Sequence, residues 1–258
     1  MAVIRCRGGF PPLRNAARFC IALPDLPAEG ESFPVLWLLG EEGRSADALL
    51  RDCAVEALAV RYGIAVVMPE GLHSDYEDMQ RGLDWYTYLY VGLPRYLKER
   101  LCLETDGASN AVFGFGMGGL GALRLTLRRP DFARVFGGAE FDADPFARDG
   151  AHDTPAYRHK METIYGDDFR REEVLQKSDL FRLAQAREAL PPIALYAREG
   201  SDRLPALRRL EEALRGKSRD LSLTTFESTR FQDAVLESFV RDRMKAASLL
   251  QNGTERKA

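Results

Sequence analysis

The sequence predicts an α/β fold: a doubly wound, mainly parallel sheet with helices on both faces. Three observations predict it. Short apolar runs recur along the chain at 17–23, 34–39, 64–68, 110–115, 135–140, 193–198 and 221–226, and several are continuously apolar, as strands covered on both faces must be. Between them lie segments with apolar residues at helical spacing, and strand–helix alternation is the pattern of a parallel sheet with crossover helices. At 258 residues the chain has the length of one α/β unit with a core of ordinary size.

Each element has its own local reason. After the runs at 17–23 and 34–39, residues 46–62 carry Leu49, Cys53, Ala57 and Val60 on one stripe, and a helix is expected there. The run at 64–68 follows, then a helix over 85–101. The run at 110–115 enters a glycine-rich turn. Beyond it Leu120, Leu123 and Leu127 share a helix face that ends before Pro130. Residues 141–190 break the alternation. They are polar, and their helical stretches at 155–165 and 171–188 are expected to form a short helical cap over the carboxyl edge of the sheet. Leu207, Leu210 and Leu214 mark one more helix, and Leu236, Val240, Met244 and Ala247 mark the last. One domain over 1–250 and a polar tail over 251–258 complete the organisation, without repeats.

Composition excludes several function classes. Acidic and basic residues nearly balance, 39 against 36, and the formal charge is -3, so neither a nucleic-acid partner nor an anionic membrane is expected. The basic groups Arg124, Arg128, Arg129 and Arg203, Arg208, Arg209 read as solvated helix faces. No stretch reaches the roughly 20 apolar residues of a membrane span, and the first residues are too polar for a signal peptide. The cysteines, Cys6, Cys20, Cys53 and Cys102, are scattered without a CxxC pair. They imply free thiols and a cytoplasmic setting, with no metal site. Cys53 and Trp37 read as core, and Trp85 as a site-wall aromatic. Asp142, Asp144, Asp149 and His152 match no calcium loop and read as a flexible polar segment.

The segment most informative about function is Gly114-Phe115-Gly116-Met117-Gly118, between the apolar run at 110–115 and the helix after it. It stands in an ordered set with Phe33 to Leu39, with Val67-Met68-Pro69-Glu70-Gly71, and with Ser74 to Met79. Trp85 to Tyr88, Leu93-Pro94, Met117 to Leu123, Arg129-Pro130 and Phe132 complete the set. Over roughly 15–245 this resembles the Putative esterase family of α/β-hydrolases, which includes tributyrin esterase and S-formylglutathione hydrolase. The resemblance implies a serine in a Gly-x-Ser-x-Gly elbow, a late histidine, an acid and an oxyanion loop. Here the nucleophile position is Gly116. The oxyanion loop, His-Gly in the family, is Gly40-Glu41. The acid position keeps Asp202. The late histidine has no counterpart in 228–234, where Phe231 or a neighbour takes its place, and His73, His152 and His159 all lie upstream. The expectation is a catalytically silent pseudoenzyme that binds a small ligand or a partner through the former cleft. Gly116, Met117, Glu41, His73, Tyr76 and Asp202 are its ligand-binding candidates. No cofactor or metal is implied, and a second copy or an active paralogue are the candidate protein partners.

Competing readings remain open at this level. Residual carboxylic-ester or thioester hydrolysis would use a rearranged set such as Asp202, His73 and a cap residue. Gly114 to Gly119 also matches Gly-x-Gly-x-x-Gly, with Glu140 at the end of the next strand, as a dinucleotide site requires. Glu41 and Glu42 with Asp202, or Asp75 with Asp78, could pair as acid and base or hold a hard cation. His73-Ser74-Asp75 carries triad residue types, but adjacency in sequence is not a triad, and a structural loop is expected.

Overall fold

A computed structural model describes residues 1–25, 33–103, 105–227, 231–247 and 249. Among these, eight strands form one sheet in the order β1-β2-β4-β3-β5-β6-β7-β8. They are β1 (Ala2–Phe10), β2 (Asn15–Leu23), β3 (Val35–Leu39), β4 (Ala65–Pro69), β5 (Asn110–Phe115), β6 (Val135–Ala139), β7 (Ile193–Arg198) and β8 (Leu221–Phe226). β2 pairs antiparallel with both β1 and β4, and from β4 to β8 every pairing is parallel. The doubly wound, mainly parallel sheet is therefore present. β1 is an addition that the apolar runs do not announce. As an edge strand it alternates exposed and covered residues, with Arg5 and Arg7 outward.

The helices are α1 (Ala46–Asp52), α2 (Val55–Tyr62), α3 (Trp85–Thr87), α4 (Leu93–Leu101), α5 (Met117–Arg128), α6 (Pro155–Tyr165), α7 (Glu172–Ser178), α8 (Leu180–Gln185), α9 (Leu204–Leu214) and α10 (Phe231–Ser238). A π-helical turn, Tyr88–Gly92, joins α3 to α4, and another, Phe239–Met244, extends α10. Alternate residues of each strand serve opposite layers. Trp37 and Val112 pack with Leu93, Leu97, Leu123 and Leu207 on one face. Leu36, Leu38 and Phe113 pack with Leu49, Leu58, Leu236 and Val240 on the other. The 141–190 segment holds its own small cluster around Met161, Ile164 and Phe169.

Three sequence expectations need correction. The helix expected over 46–62 is broken at Cys53, which is extended (φ -121, ψ 145), and Ala54 donates its N–H to Asp233 Oδ1 at 2.9 Å. The break rotates the buried stripe from Leu49 onto Val55, Leu58, Ala59 and Tyr62, leaving Ala57 exposed. Arg124 is not on a solvated face. It is fully buried, its guanidinium donating to Ser178 O and Asp75 O at 3.0 Å and lying 3.0 Å from Glu77 Oε1. Glu77 also accepts two hydrogen bonds from Arg128. Trp85 is 4% exposed and belongs to the core beside Tyr88, not to the wall of the cleft described next.

Candidate functional site

The site is built on the turn between β5 and α5, at the carboxyl edge of the central strands, where open parallel sheets place their ligands. Gly116 sits at the turn with φ 52 and ψ -122, a conformation that side-chain-bearing residues adopt only under strain. Its N–H donates to Ala139 O at 2.9 Å, and its carbonyl accepts from Gly119 and Leu120. The flanking glycines are steric necessities. A Cβ at Gly114 would overlap the Gly118 carbonyl, and one at Gly118 would overlap the Leu39 carbonyl. Gly116 itself is different: the nearest atoms a Cβ there would meet belong to the Glu41 side chain, with Cγ at 3.2 Å and Cβ at 3.6 Å. The elbow geometry is complete, and Glu41 occupies the space above its tip.

The loop after β3 is committed to internal contacts. Gly40 donates its N–H to the Tyr76 hydroxyl at 3.1 Å. Tyr76 is 1% exposed, and its ring fills the space that Cβ atoms on Gly71 and Gly121 would need. Burial pushes the Tyr76 phenol far above its ordinary range, so it stays neutral. Glu41 lies over the uncapped start of α5, where a helix N-terminus favours negative charge.

Above the elbow a cleft of roughly 250 Å³ is lined by Gly116, Met117, Asp75, Glu42, Tyr157, Lys160 and Arg203, among others. Lys160, on α6, reaches down to two carboxylates: Asp75 Oδ1 at 2.8 Å and Glu42 Oε2 at 3.0 Å. Glu42 in turn meets His73 Nδ1 at 3.3 Å. Burial pushes the Asp75 carboxyl up, and Lys160 and Arg124 pull it back only partly. Burial also works against the Lys160 charge, but Asp75 and Glu42 outweigh it and hold the ammonium above its usual range. Ser74 is buried and donates to Gly71 O at 2.6 Å, which makes His73-Ser74-Asp75 a structural loop.

The segment read as flexible and polar at 142–152 is instead organised around His152. Its Nδ1 lies 2.6 Å from Asp149 Oδ1 and its Nε2 2.8 Å from Asp142 Oδ2. Burial disfavours the imidazolium, but the two carboxylates overcome this and raise its pKa. With both nitrogens engaged, His152 has no free base to offer. Asp142 also faces Arg203 at 3.6 Å.

The structure brings together only part of the predicted set. Gly116 and Met117 line the cleft and Glu41 closes over the elbow. Tyr76 lies beneath the site, bonded to Gly40. His73 is 72% exposed and Asp202 is 89% exposed, its nearest charged partner Arg203 at 3.8 Å. Neither lines the cleft. Phe231 is buried at the start of α10, under the Arg198 guanidinium at 4.7 Å. Glu140 accepts from Arg198 N at 2.7 Å and Ser201 Oγ at 2.9 Å, and Asp78 accepts from Thr87 N and Oγ1. Both carboxylates thus hold backbone in place. Sequence reasoning missed Lys160, Tyr157 and Arg203 as cleft residues, because no fixed spacing ties α6 or the start of α9 to the elbow. Among the described residues no group of three or more His, Cys, Asp or Glu is placed to hold a metal ion, and no helix is long and apolar enough to cross a membrane.

Comparison with known proteins agrees with this architecture. A family model described as "Putative esterase" matches residues 13–161. No curated protein sequence matches the chain. Among solved structures, an S-formylglutathione hydrolase from Agrobacterium tumefaciens is similar at a TM-score of 0.78 and 18% identity, covering 96% of this chain and 95% of that one. FphF, a fluorophosphonate-binding serine hydrolase of Staphylococcus aureus, is similar at 0.75 and 16%, covering 95% and 98%. MPT51 (FbpC1) of Mycobacterium tuberculosis is similar at 0.67 and 16%, covering 99% and 100%. At these identities the likeness establishes the fold, that of the α/β-hydrolases.

Proposed function

This chain belongs to the Putative esterase family, and from that premise we propose that it is a catalytically silent member, binding a small ligand or a partner through the former active-site cleft. One observation carries the reading. The elbow keeps its conformation, yet its tip is a glycine under a glutamate side chain. Ester hydrolysis in this family needs a hydroxyl at that tip, a base beside it and N–H donors for the oxyanion. The tip bears no hydroxyl. The Gly40 N–H is already bonded to Tyr76. A negative charge on Glu41 opposes a developing oxyanion nearby.

The rearranged-hydrolase reading has less support. His73 is exposed, His152 is held at both nitrogens, and Asp202 lies outside the cleft lining. The cleft between the sheet edge and the 141–190 segment, which we take as a cap, supports small-molecule binding instead. Buried thiols at Cys20 and Cys53 are in keeping with a reducing, cytoplasmic setting.

The test is hydrolysis of p-nitrophenyl acetate and butyrate by the purified chain. Rates at the buffer background are expected. Saturable turnover of about 1 per second or more, within the ordinary enzyme range, would overturn the proposal.

A further inference from the structure

We propose, resting on the reading of the former active site as a ligand cleft, that it takes a small organic cation: a primary ammonium on a short apolar body. Four carboxylates line the cleft, Glu42, Asp75, Glu140 and Asp142, against two cations, Lys160 and Arg203. Each cation is already shared. Lys160 stands between Asp75 and Glu42, and Arg203 between Asp142 and Asp202. Neither is left to receive an anion. Glu41 adds a further carboxylate over Gly116, and its side chain has no hydrogen-bond or ion-pair partner among the described residues. His152, when protonated, is matched by Asp149. Behind the wall Arg124 and Arg128 share Glu77, a surplus of one positive charge that offsets only part of the excess. A cation entering the cleft is attracted, and an anion is opposed.

Asp75 points to a ligand independently of the charge balance. Its side chain is 3% exposed, and it lines the cleft. An ionised carboxylate only accepts hydrogen bonds, and buried polar atoms are nearly always hydrogen-bonded. Lys160 Nζ comes within 2.8 Å of Asp75 Oδ1, but off the directions a hydrogen bond needs, and Oδ1 is left without one among the described residues. An N–H of a bound ammonium, directed at this carboxylate, supplies what the chain does not.

The remaining walls set the body of the ligand. Met117, Leu120 and Pro145 are apolar, and Tyr157 adds a ring whose hydroxyl is spent on Pro145 O at 2.8 Å. At the roughly 30 Å³ that a water takes in the liquid, the cleft of roughly 250 Å³ holds about eight non-hydrogen atoms. The carboxylates are too dispersed for a metal: among the described residues no group of three or more His, Cys, Asp or Glu is placed to hold one. An ammonium needs one well-placed carboxylate and an acidic surround.

Isothermal titration calorimetry of the full chain at neutral pH with three probes of that size, benzylammonium, benzyl alcohol and benzoate, tests the proposal. Benzylammonium should bind with a Kd of about 1 mM or tighter. The alcohol and benzoate should bind at least about tenfold more weakly. Asp75→Asn keeps the shape and removes the charge, so it should weaken benzylammonium by about tenfold and leave the alcohol unchanged. If Asp75→Asn fails to fold by circular dichroism, Glu41→Gln decides: it breaks no contact of the carboxylate and should weaken benzylammonium by about threefold. Benzylammonium bound no more tightly than the alcohol, or unmoved by the substitutions, overturns the proposal. Benzoate bound in preference, with ester hydrolysis at background, overturns the cation alone and leaves the ligand cleft standing. Failure of the silent-esterase reading shows separately, as ester turnover.

Discussion

Placing a serine at the elbow tests the site most directly. Gly116 has φ 52 and ψ -122, and holding a side-chain-bearing residue in such a region costs about 1–3 kcal/mol. The new Cβ would also stand 3.2 Å from Glu41 Cγ, so Glu41 must move by a few tenths of an ångström. Gly116→Ser should therefore destabilise the fold by about 2 kcal/mol. For a chain of this size that lowers the melting temperature by about 4–8 °C. Adding Glu41→Gly should return the steric part and leave the backbone part. Scanning calorimetry of the single and double variants separates the two. The same preparations, given p-nitrophenyl butyrate, should hydrolyse at background, because a serine hydroxyl without an adjacent base is a poor nucleophile. Strong, saturable hydrolysis by Gly116→Ser alone would mean that a base already stands at the elbow. An unchanged melting temperature would mean that the turn is unstrained. Either result refutes the reasoning.

Other expectations follow from the charge clusters and thiols. Lys160→Met leaves buried Asp75 with Arg124 as its remaining nearby cation, which should cost about 3 kcal/mol at neutral pH by urea unfolding. The loss should shrink as the pH falls, because the Asp75 carboxyl, already pushed up by burial, takes up a proton. His152 has a raised pKa in the folded chain, so its charged form stabilises fully below its unfolded value of about 6.5. That stability is lost as pH rises through the higher folded value. The stability difference between wild type and His152→Gln should therefore be largest at acid pH and fade on the alkaline side; a difference growing with pH would contradict the two-carboxylate contact. In native protein a thiol reagent should label exposed Cys102 first. Cys20 and Cys53, pushed up by burial to about 11 and about 12, should react only on unfolding.

What the sequence disclosed follows physical lines. β3 to β7 are legible because strands covered on both faces must be apolar throughout, as Val35 to Leu39 are. The elbow is legible because Gly114 and Gly118 leave no room for a Cβ against neighbouring carbonyls. β1 is hidden because an edge strand tolerates Arg5 and Arg7. The break at Cys53 is hidden because its partner, Asp233, arrives from the far end of the chain. Arg124 reads as a surface residue until Glu77 and the Asp75 and Ser178 carbonyls are seen to surround it. The cleft was half legible. Gly116 and Glu41 follow from their place in a motif, whereas Lys160 meets Asp75 and Glu42 only through the tertiary fold.

The Lys160 contacts also bear on how the molecule breathes. One ammonium joins α6, the loop before Tyr76 and the loop after β3, three stretches remote in sequence. Lifting α6 takes the ammonium from two carboxylates at once, so no one stretch can open at the cost of its own contacts alone. Hydrogen exchange should find them behaving as one cooperative unit. The Gly40 and Tyr76 amides should exchange with the same opening free energy as those in the middle of α6. In Lys160→Met that shared value should split, with the α6 amides becoming the faster set.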